Sequence, residues 1–416
     1  MKRRSRRVIW FLLLVFLPGL TAGVLGWTAW HHLAAREALR RRDYAAARQE
    51  LSPSLRVWFW SGEPHLLAAR AARGVEAYDE AERHLARSRD RGGDAGAIEL
   101  ERLLGRAQRG DLAPVEAELL KRIEANPEYA PLVMEVLATH YFKTYQLLKA
   151  RLALQSWLDE EPGWVPAWYL LAQTWERSGN AAEARECYRR ALELDPDHDH
   201  ARLQLAGLLM KGDPREALSH VEYARRRLGD TPPVLRGLAT CRHMLNEPDE
   251  ARRLLDRLVA EHPGDGAGLA ARARLAQEHE SPEQAEAWYR RAAVSQPYER
   301  EVLYGWSVSL EQLGRREEAA AVRDRFRRVE VDLTRLAAAT RRVAHSPHDP
   351  APRCEAGIIL LRNGQQAEGF RWLASALELD PGHAATHQAL ASYYEQAGDP
   401  ARSAFHREVA QAAPAK

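Results

Sequence analysis
The sequence predicts an all-α solenoid of about eleven helix–turn–helix repeats, preceded by one N-terminal transmembrane helix. Three observations predict it. Apolar residues recur at steps of three and four through nearly the whole chain. That pattern itself recurs every 33 to 35 residues, with one longer step. An uncharged run from Val8 to Trp30 follows a tail, residues 1–7, that carries five cations.

The first element is that run. As a helix its 23 positions span roughly 34 Å, enough for the hydrocarbon core. The cations precede it, so residues 8–30 read as a signal-anchor with its N-terminus in the cytoplasm. The repeats then lie on the extracytoplasmic side of the cytoplasmic (inner) membrane. A cleaved signal peptide is the alternative: Pro18-Gly19 would end its apolar region, and Thr21-Ala22-Gly23 suits a cleavage site. The run's continuation to Trp30 favours the anchor. Gly19 and Gly23 form a GxxxG match, through which two anchors would pack as a homodimer.

Residues 165–198 show the repeat at its clearest. Counted from Val165, large apolar groups fall at positions 4, 7, 11 and 24 (Trp168, Leu171, Trp175 and Tyr188). Small ones fall at 8, 20 and 27 (Ala172, Ala184 and Ala191), Gly179 stands at 15 and Pro196 at 32. Each set lies on one face of a helix. The alanines let two helices approach, the glycine ends the first and the proline stops the second. One such pair cannot bury its face alone, so the period must recur.

This stretch resembles the tetratricopeptide repeat at each of its signature positions. The resemblance implies a right-handed superhelical solenoid, here in a bacterial protein anchored by its N-terminal helix. It also implies protein or peptide ligands lying along the concave side.

Laid across the chain, the frame starts near 28, 62, 96, 131, 165, 198, 232, 266, 300, 350 and 384. Residues 28–330 hold repeats one to nine, 331–349 a helical extension, and 350–413 repeats ten and eleven. Tyr44 and Ala47 carry the first repeat, Ala81 and Leu85 the second, and Leu137, Tyr141, Ala150 and Trp157 the fourth. The repeat from 300 departs at position 24, where Arg323 replaces a large apolar residue. In the last repeat Ser403 and Arg407 make the second helix polar, as suits a cap with no neighbour beyond it.

Three places depart from the frame. In the long step, Phe326, Val329, Leu333, Leu336, Thr340 and Val343 line one side of a prolonged helix, which covers the next repeat or meets a second chain. In the first repeat, Trp58-Phe59-Trp60 replaces the usual proline; these rings pack on the second repeat or, with Trp27 and Trp30, meet the headgroup layer. Along the inner face the resemblance gives Tyr169, Gln173 and Arg177, then Arg236, Thr240 and His243, then Arg274, Gln277 and Tyr304, as candidate protein-binding groove residues.

Composition narrows the function. With 45% apolar and 28% charged residues the chain is foldable rather than disordered. Set the five N-terminal cations aside from the 60 basic residues, and the 58 carboxylates outnumber the rest, which argues against nucleic acid. Cys187, Cys241 and Cys354 are far apart and form no CxxC pair, so they read as small buried apolar groups. No HExxH, GxSxG or phosphate loop is present. Asp195-Pro-Asp-His198-Asp-His200 crowds possible ligands, but at a turn between repeats, where polar residues belong. No cofactor, metal or catalytic residue is therefore expected. The sequence points to a non-enzymatic scaffold or adaptor tethered to the membrane, its partners other proteins or peptides and, through residues 8–30, the lipid bilayer. The alternatives are an accessory subunit of an envelope biogenesis enzyme or secretion complex, and a secreted form with a cleaved signal.

Overall fold
The computed structural model describes residues 22–346 and 348–412, with the side chains of residues 344 and 345 excepted. Within them the chain is an all-α solenoid of 22 helices joined by short turns. It divides into two compact units, one ending at Val136 and the other starting at Leu137.

The N-terminal unit begins with α1 (residues 22–40) and α2 (Tyr44–Val57). It continues through α3 (Glu63–Gly74), α4 (Tyr78–Asp90), α5 (Ala95–Gln108) and α6 (Glu116–Ala125) into α7 (Ala130–Lys143). The C-terminal unit takes up α7 and runs through α8 (Leu147–Glu160), α9 (Val165–Arg177), α10 (Ala181–Leu194), α11 (Asp199–Leu209) and α12 (Pro214–Leu228). It goes on through α13 (Pro232–Met244), α14 (Pro248–Glu261), α15 (Gly266–His279), α16 (Pro282–Ser295), α17 (Arg300–Gln312) and the 30-residue α18 (Arg316–His345). Four helices close it: α19 (Pro350–Arg362), α20 (Gln366–Leu379), α21 (Ala384–Gln396) and α22 (Pro400–Ala412).

From α2 to α6 and from α8 to α22 each helix packs on the next, and first helices of neighbouring pairs also touch, as α13 touches α15 and α15 touches α17. The core runs along these seams. Ala172, Ala184 and Ala191 are fully buried where α9 and α10 cross, with Tyr188 between them. Fully buried leucines such as Leu205 and Leu235 each contribute about 1.5–3 kcal/mol. Every pair repeats the same local solution, so stability builds by neighbour on neighbour.

The turn inside most pairs has one conformation. At position 15 of nine repeats the backbone is left-handed: Gly110, Gly179, Gly314, Gly364 and Gly398, but also Arg42, Glu76, Tyr145 and Asn246. The turn closes with two bonds onto the preceding helix. At Gly179 these are its own N–H to Glu176 O, 3.0 Å, and Asn180 N–H to Trp175 O, 3.0 Å. A glycine enters this conformation at no steric cost.

The expected transmembrane helix is corrected here. Residues 8–21 of it, with Gly19, lie outside the described residues. Residues 22–30 open α1, which runs on to residue 40 as the first helix of the first repeat. Thr28, His32 and Ala35 are buried on it; Trp58 Nε1 donates to Thr28 Oγ1 at 3.2 Å, and His31 meets Glu50 at 2.6 Å. This face is committed to protein rather than lipid. Among the described residues no helix is long and apolar enough to cross a membrane. The single-pass placement in the cytoplasmic (inner) membrane therefore falls with it.

The C-terminal unit also joins residues remote in sequence. The α7–α8 turn docks on α20: Ser375 Oγ donates to Thr144 O at 2.7 Å, and His140 Nε2 lies 3.2 Å from Glu378 Oε2. Tyr145 packs with Leu336, Ala339, Val343, Leu360 and Trp372 in one apolar cluster.

Candidate protein-binding cleft
The candidate groove residues fall into separate environments. Tyr169, Gln173 and Arg177 lie on α9 and are engaged within the molecule. Tyr169 rests against the rings of His198, 4.8 Å away, and Tyr188, and its hydroxyl accepts from Gln173 Nε2 at 3.2 Å. The Arg177 guanidinium covers Phe142 at 3.9 Å and Tyr145 at 5.0 Å, and donates to Phe142 O.

Arg236, Thr240 and His243 lie on α13. Arg236 Nη1 reaches Asp265 Oδ2 at 2.6 Å, Thr240 Oγ1 donates to Arg236 O, and His243 Nε2 lies 3.0 Å from Glu278 Oε2. These contacts tie α13 to α15 and its preceding turn, on the side that the first helices share.

Arg274, Gln277 and Tyr304 come together. They line a cleft of about 550 Å3 between α15 and α17. Its floor includes Ala270 and Ala271, whose small side chains keep it open, and Tyr289 from α16. Tyr289 is nearly fully buried and donates from its hydroxyl to Gln277 Oε1 at 2.6 Å. Burial pushes its pKa up to about 12, so it stays a neutral donor at neutral pH. Gly305 makes this approach possible: a Cβ there would stand 2.2 Å from the Tyr289 ring. Tyr304 is 58% exposed and presents its ring at the mouth. Arg274 faces Glu301 across the cleft at 3.5 Å. The cleft thus offers an aromatic face, an amide, one guanidinium and several carboxylates on a rigid helical frame.

Glu278 lines the same cleft and links it to His243. With His279 these form the group among the described residues whose possible metal-ligating atoms all lie within 4.8 Å of one another. Two of the three are exposed, and the direct contact of His243 with Glu278 accounts for the geometry without an ion. The acidic turn singled out in the sequence is structural: His198 caps α11 by accepting from Ala201 N–H, and Asp197 accepts from Tyr223 OH.

The other candidates divide in the same way. Trp58 is half-buried against His32, at 4.7 Å between rings. Phe59 and Trp60 are exposed, 67% and 59%, and stack edge to face on each other. On α18, Val329 is buried, Phe326 packs with Leu303, Leu310 and Val322, and Leu336 packs towards the next repeat. Leu333 is exposed; the inward positions beside it are taken by Asp332 and Ala339. Most of the stripe is therefore used inside the chain.

Comparison with known families comes down on the repeat. Models of the tetratricopeptide repeat match residues 165–198 and 208–275. No curated protein matches the chain. Among solved structures, Pseudomonas aeruginosa PilF is 18% identical, with 49% of this chain and 92% of that one covered and a TM-score of 0.41. Yeast Tom70 is 14% identical over 94% of this chain and 93% of that one, with a TM-score of 0.35. YrrB, described as a tetratricopeptide protein with an unusual peptide-binding site, is 19% identical over 43% of this chain and 93% of that one, with a TM-score of 0.32. At such identities and scores the likeness carries no functional inference. What stands is that tetratricopeptide repeats are present in this chain, in a fold whose usual work is protein interaction.

Proposed function
We propose that the protein is a non-enzymatic scaffold that binds a protein or peptide partner across the first helices of its repeats, with the α15–α17 cleft as the principal contact. One observation carries the reading. Arg274, Gln277 and the exposed ring of Tyr304, which stand on two different repeats, line a single cleft. Exposed tyrosine and arginine beside a preformed hollow are the residue types that dominate binding energy at interfaces. Among the described residues many acid–base groups are spent on ion pairs and helix caps.

Site-specific photo-cross-linking tests it. A cross-linker at Tyr304 should capture a defined partner that a cross-linker at Arg190, on the exposed side of α10, does not. Changing Arg274→Glu, whose side chain is exposed, should sharply weaken the capture at unchanged melting temperature. Equal capture from both positions, or turnover by the purified chain alone, would overturn the proposal.

A further inference from the structure
A larger hollow lies where the repeat step lengthens. Beside the middle turns of α18 a cavity of about 730 Å3 opens, bounded by Pro297 and Tyr298 after α16 and by Arg362 and Asn363 at the end of α19. Its volume lies in the range of small-ligand and short-peptide pockets.

The charge of its lining is one-sided. Arg325, Arg327, Arg328, Arg335 and Arg362 line it against a single carboxylate, Asp332. That carboxylate is buried and already taken, by Arg362 Nε at 2.9 Å and by the Asn363 amide at 2.9 Å. Arg335 is held from outside by Glu355 at 3.1 Å, and Arg325 by Pro297 O at 3.0 Å. These contacts orient the guanidiniums without consuming all five N–H donors of each. Arg328 is exposed, and among the described residues it has no hydrogen-bond or ion-pair partner.

Apolar surface continues the same wall. Tyr298 is 46% exposed and Val331 58% exposed. Paired guanidiniums suit planar carboxylates, while a tyrosine ring and a valine suit an apolar side chain. A small inorganic anion would leave that apolar half unused. We infer that this cavity binds an acidic peptide segment of a partner protein, its carboxylates on the arginines of α18 and α19 and an apolar side chain on Tyr298 and Val331. The inference rests on the reading of the chain as a protein-binding solenoid, but it uses a surface apart from the α15–α17 cleft.

Fluorescence anisotropy on the full chain tests it, with a fluorescein-labelled hexapeptide of alternating Glu and Leu as the probe. The same hexapeptide with Gln for Glu, and an oligoadenylate carrying the same label, are the comparisons. The Glu/Leu peptide should bind at least about tenfold more tightly than either. Arg328→Glu and Val331→Glu should each weaken it by about tenfold at unchanged melting temperature. Arg328→Gln should weaken it less, and Arg274→Glu, in the α15–α17 cleft, not at all. No binding of the Glu/Leu peptide, equal binding of the Gln/Leu peptide, tighter binding of the oligoadenylate, or no effect of Arg328→Glu would each overturn the inference. Loss through Arg274→Glu alone would move the peptide to the α15–α17 cleft and overturn it too.

Discussion

The ring of Tyr145 stacks on that of Trp372, with centroids 4.2 Å apart and planes 22° from parallel, and its hydroxyl donates to the Glu368 carboxylate. Tyr145 does this from a left-handed backbone, φ 57°, at the turn position where other repeats carry glycine. A side chain there costs about 1–2 kcal/mol. The stack returns about 0.5–1.5 kcal/mol and a hydrogen bond to a charged group about 1.5–3. The contact therefore outweighs the strain. Tyr145→Gly should destabilise the C-terminal unit by about 1–3 kcal/mol despite relieving the backbone, as read from urea unfolding. Hydrogen exchange should rise in α20 before it rises in α14. A more stable variant would show that strain wins.

Two histidine pairs set an acid limit. His65 Nδ1 lies 3.0 Å from His84 Nδ1, and His387 Nδ1 lies 2.9 Å from His406 Nδ1. Each pair holds only while one ring accepts, so neither can be fully protonated. Burial pushes His65 down to about 4, with Arg91 adding to it, and burial also lowers His84 and His406. These folded values lie below the unfolded one, about 6.5. The His65 contribution is therefore intact above about pH 6.5 and lost as pH falls from there through about 4, and those of His84 and His406 are likewise lost on acidification below about 6.5. Urea midpoints should drop across that window, and His65→Phe should flatten the drop in the N-terminal unit.

Arg73 and Glu101 form a buried ion pair between α3 and α5. Both are only 2% exposed, Arg73 Nε meets Glu101 Oε2 at 2.7 Å, and Arg70 takes the other oxygen at 2.6 Å. Removing one partner strands the other charge away from water. Glu101→Ala should cost about 3–5 kcal/mol, whereas Arg73→Met combined with Glu101→Leu should recover most of it. Equal losses in the single and double variants, measured by chemical denaturation, would count against this account.

A bridge recurs between positions 24 and 12 of the frame. Tyr188 donates to Glu176 at 2.9 Å, Tyr289 to Gln277 at 2.6 Å and Arg407 to Glu395 at 3.0 Å, and Arg323 pairs with Glu311. The tyrosines are buried, Arg407 is exposed and Arg323 is half-exposed. Tyr188→Phe should therefore cost about 1–2 kcal/mol, while Arg323→Leu should change stability by less than about 1 kcal/mol. Thermal denaturation of the two variants side by side distinguishes them; a larger loss from Arg323→Leu would contradict the ranking.

That bridge also shows where sequence reading misjudges a residue. Arg323 looks like a defect when position 24 is expected to be apolar. It is the charged version of a contact that tyrosine makes elsewhere, and only the facing residue at position 12 reveals it. Likewise, on α18 the apolar letters suggest Leu333 and Thr340 as inward positions, whereas Asp332 and Ala339 take them. The buried line drifts because Asp332 answers Arg362 and Asn363 of another repeat. The uncharged run towards Trp30 reads as lipid-facing by hydropathy. Thr28 and His32 turn it towards protein because their polar atoms find Trp58 and Glu63.

The sequence alone determined the helix–turn–helix period, the small residues at the crossings and most turn positions. Each of these depends on residues within one or two repeats, and local spacing encodes local packing. The tertiary structure alone decided which surfaces meet across several repeats. Tyr145 against Trp372 joins repeats far apart in the chain, and the arginine-lined hollow depends on where the lengthened α18 carries the next repeat. No single window of sequence contains these relations.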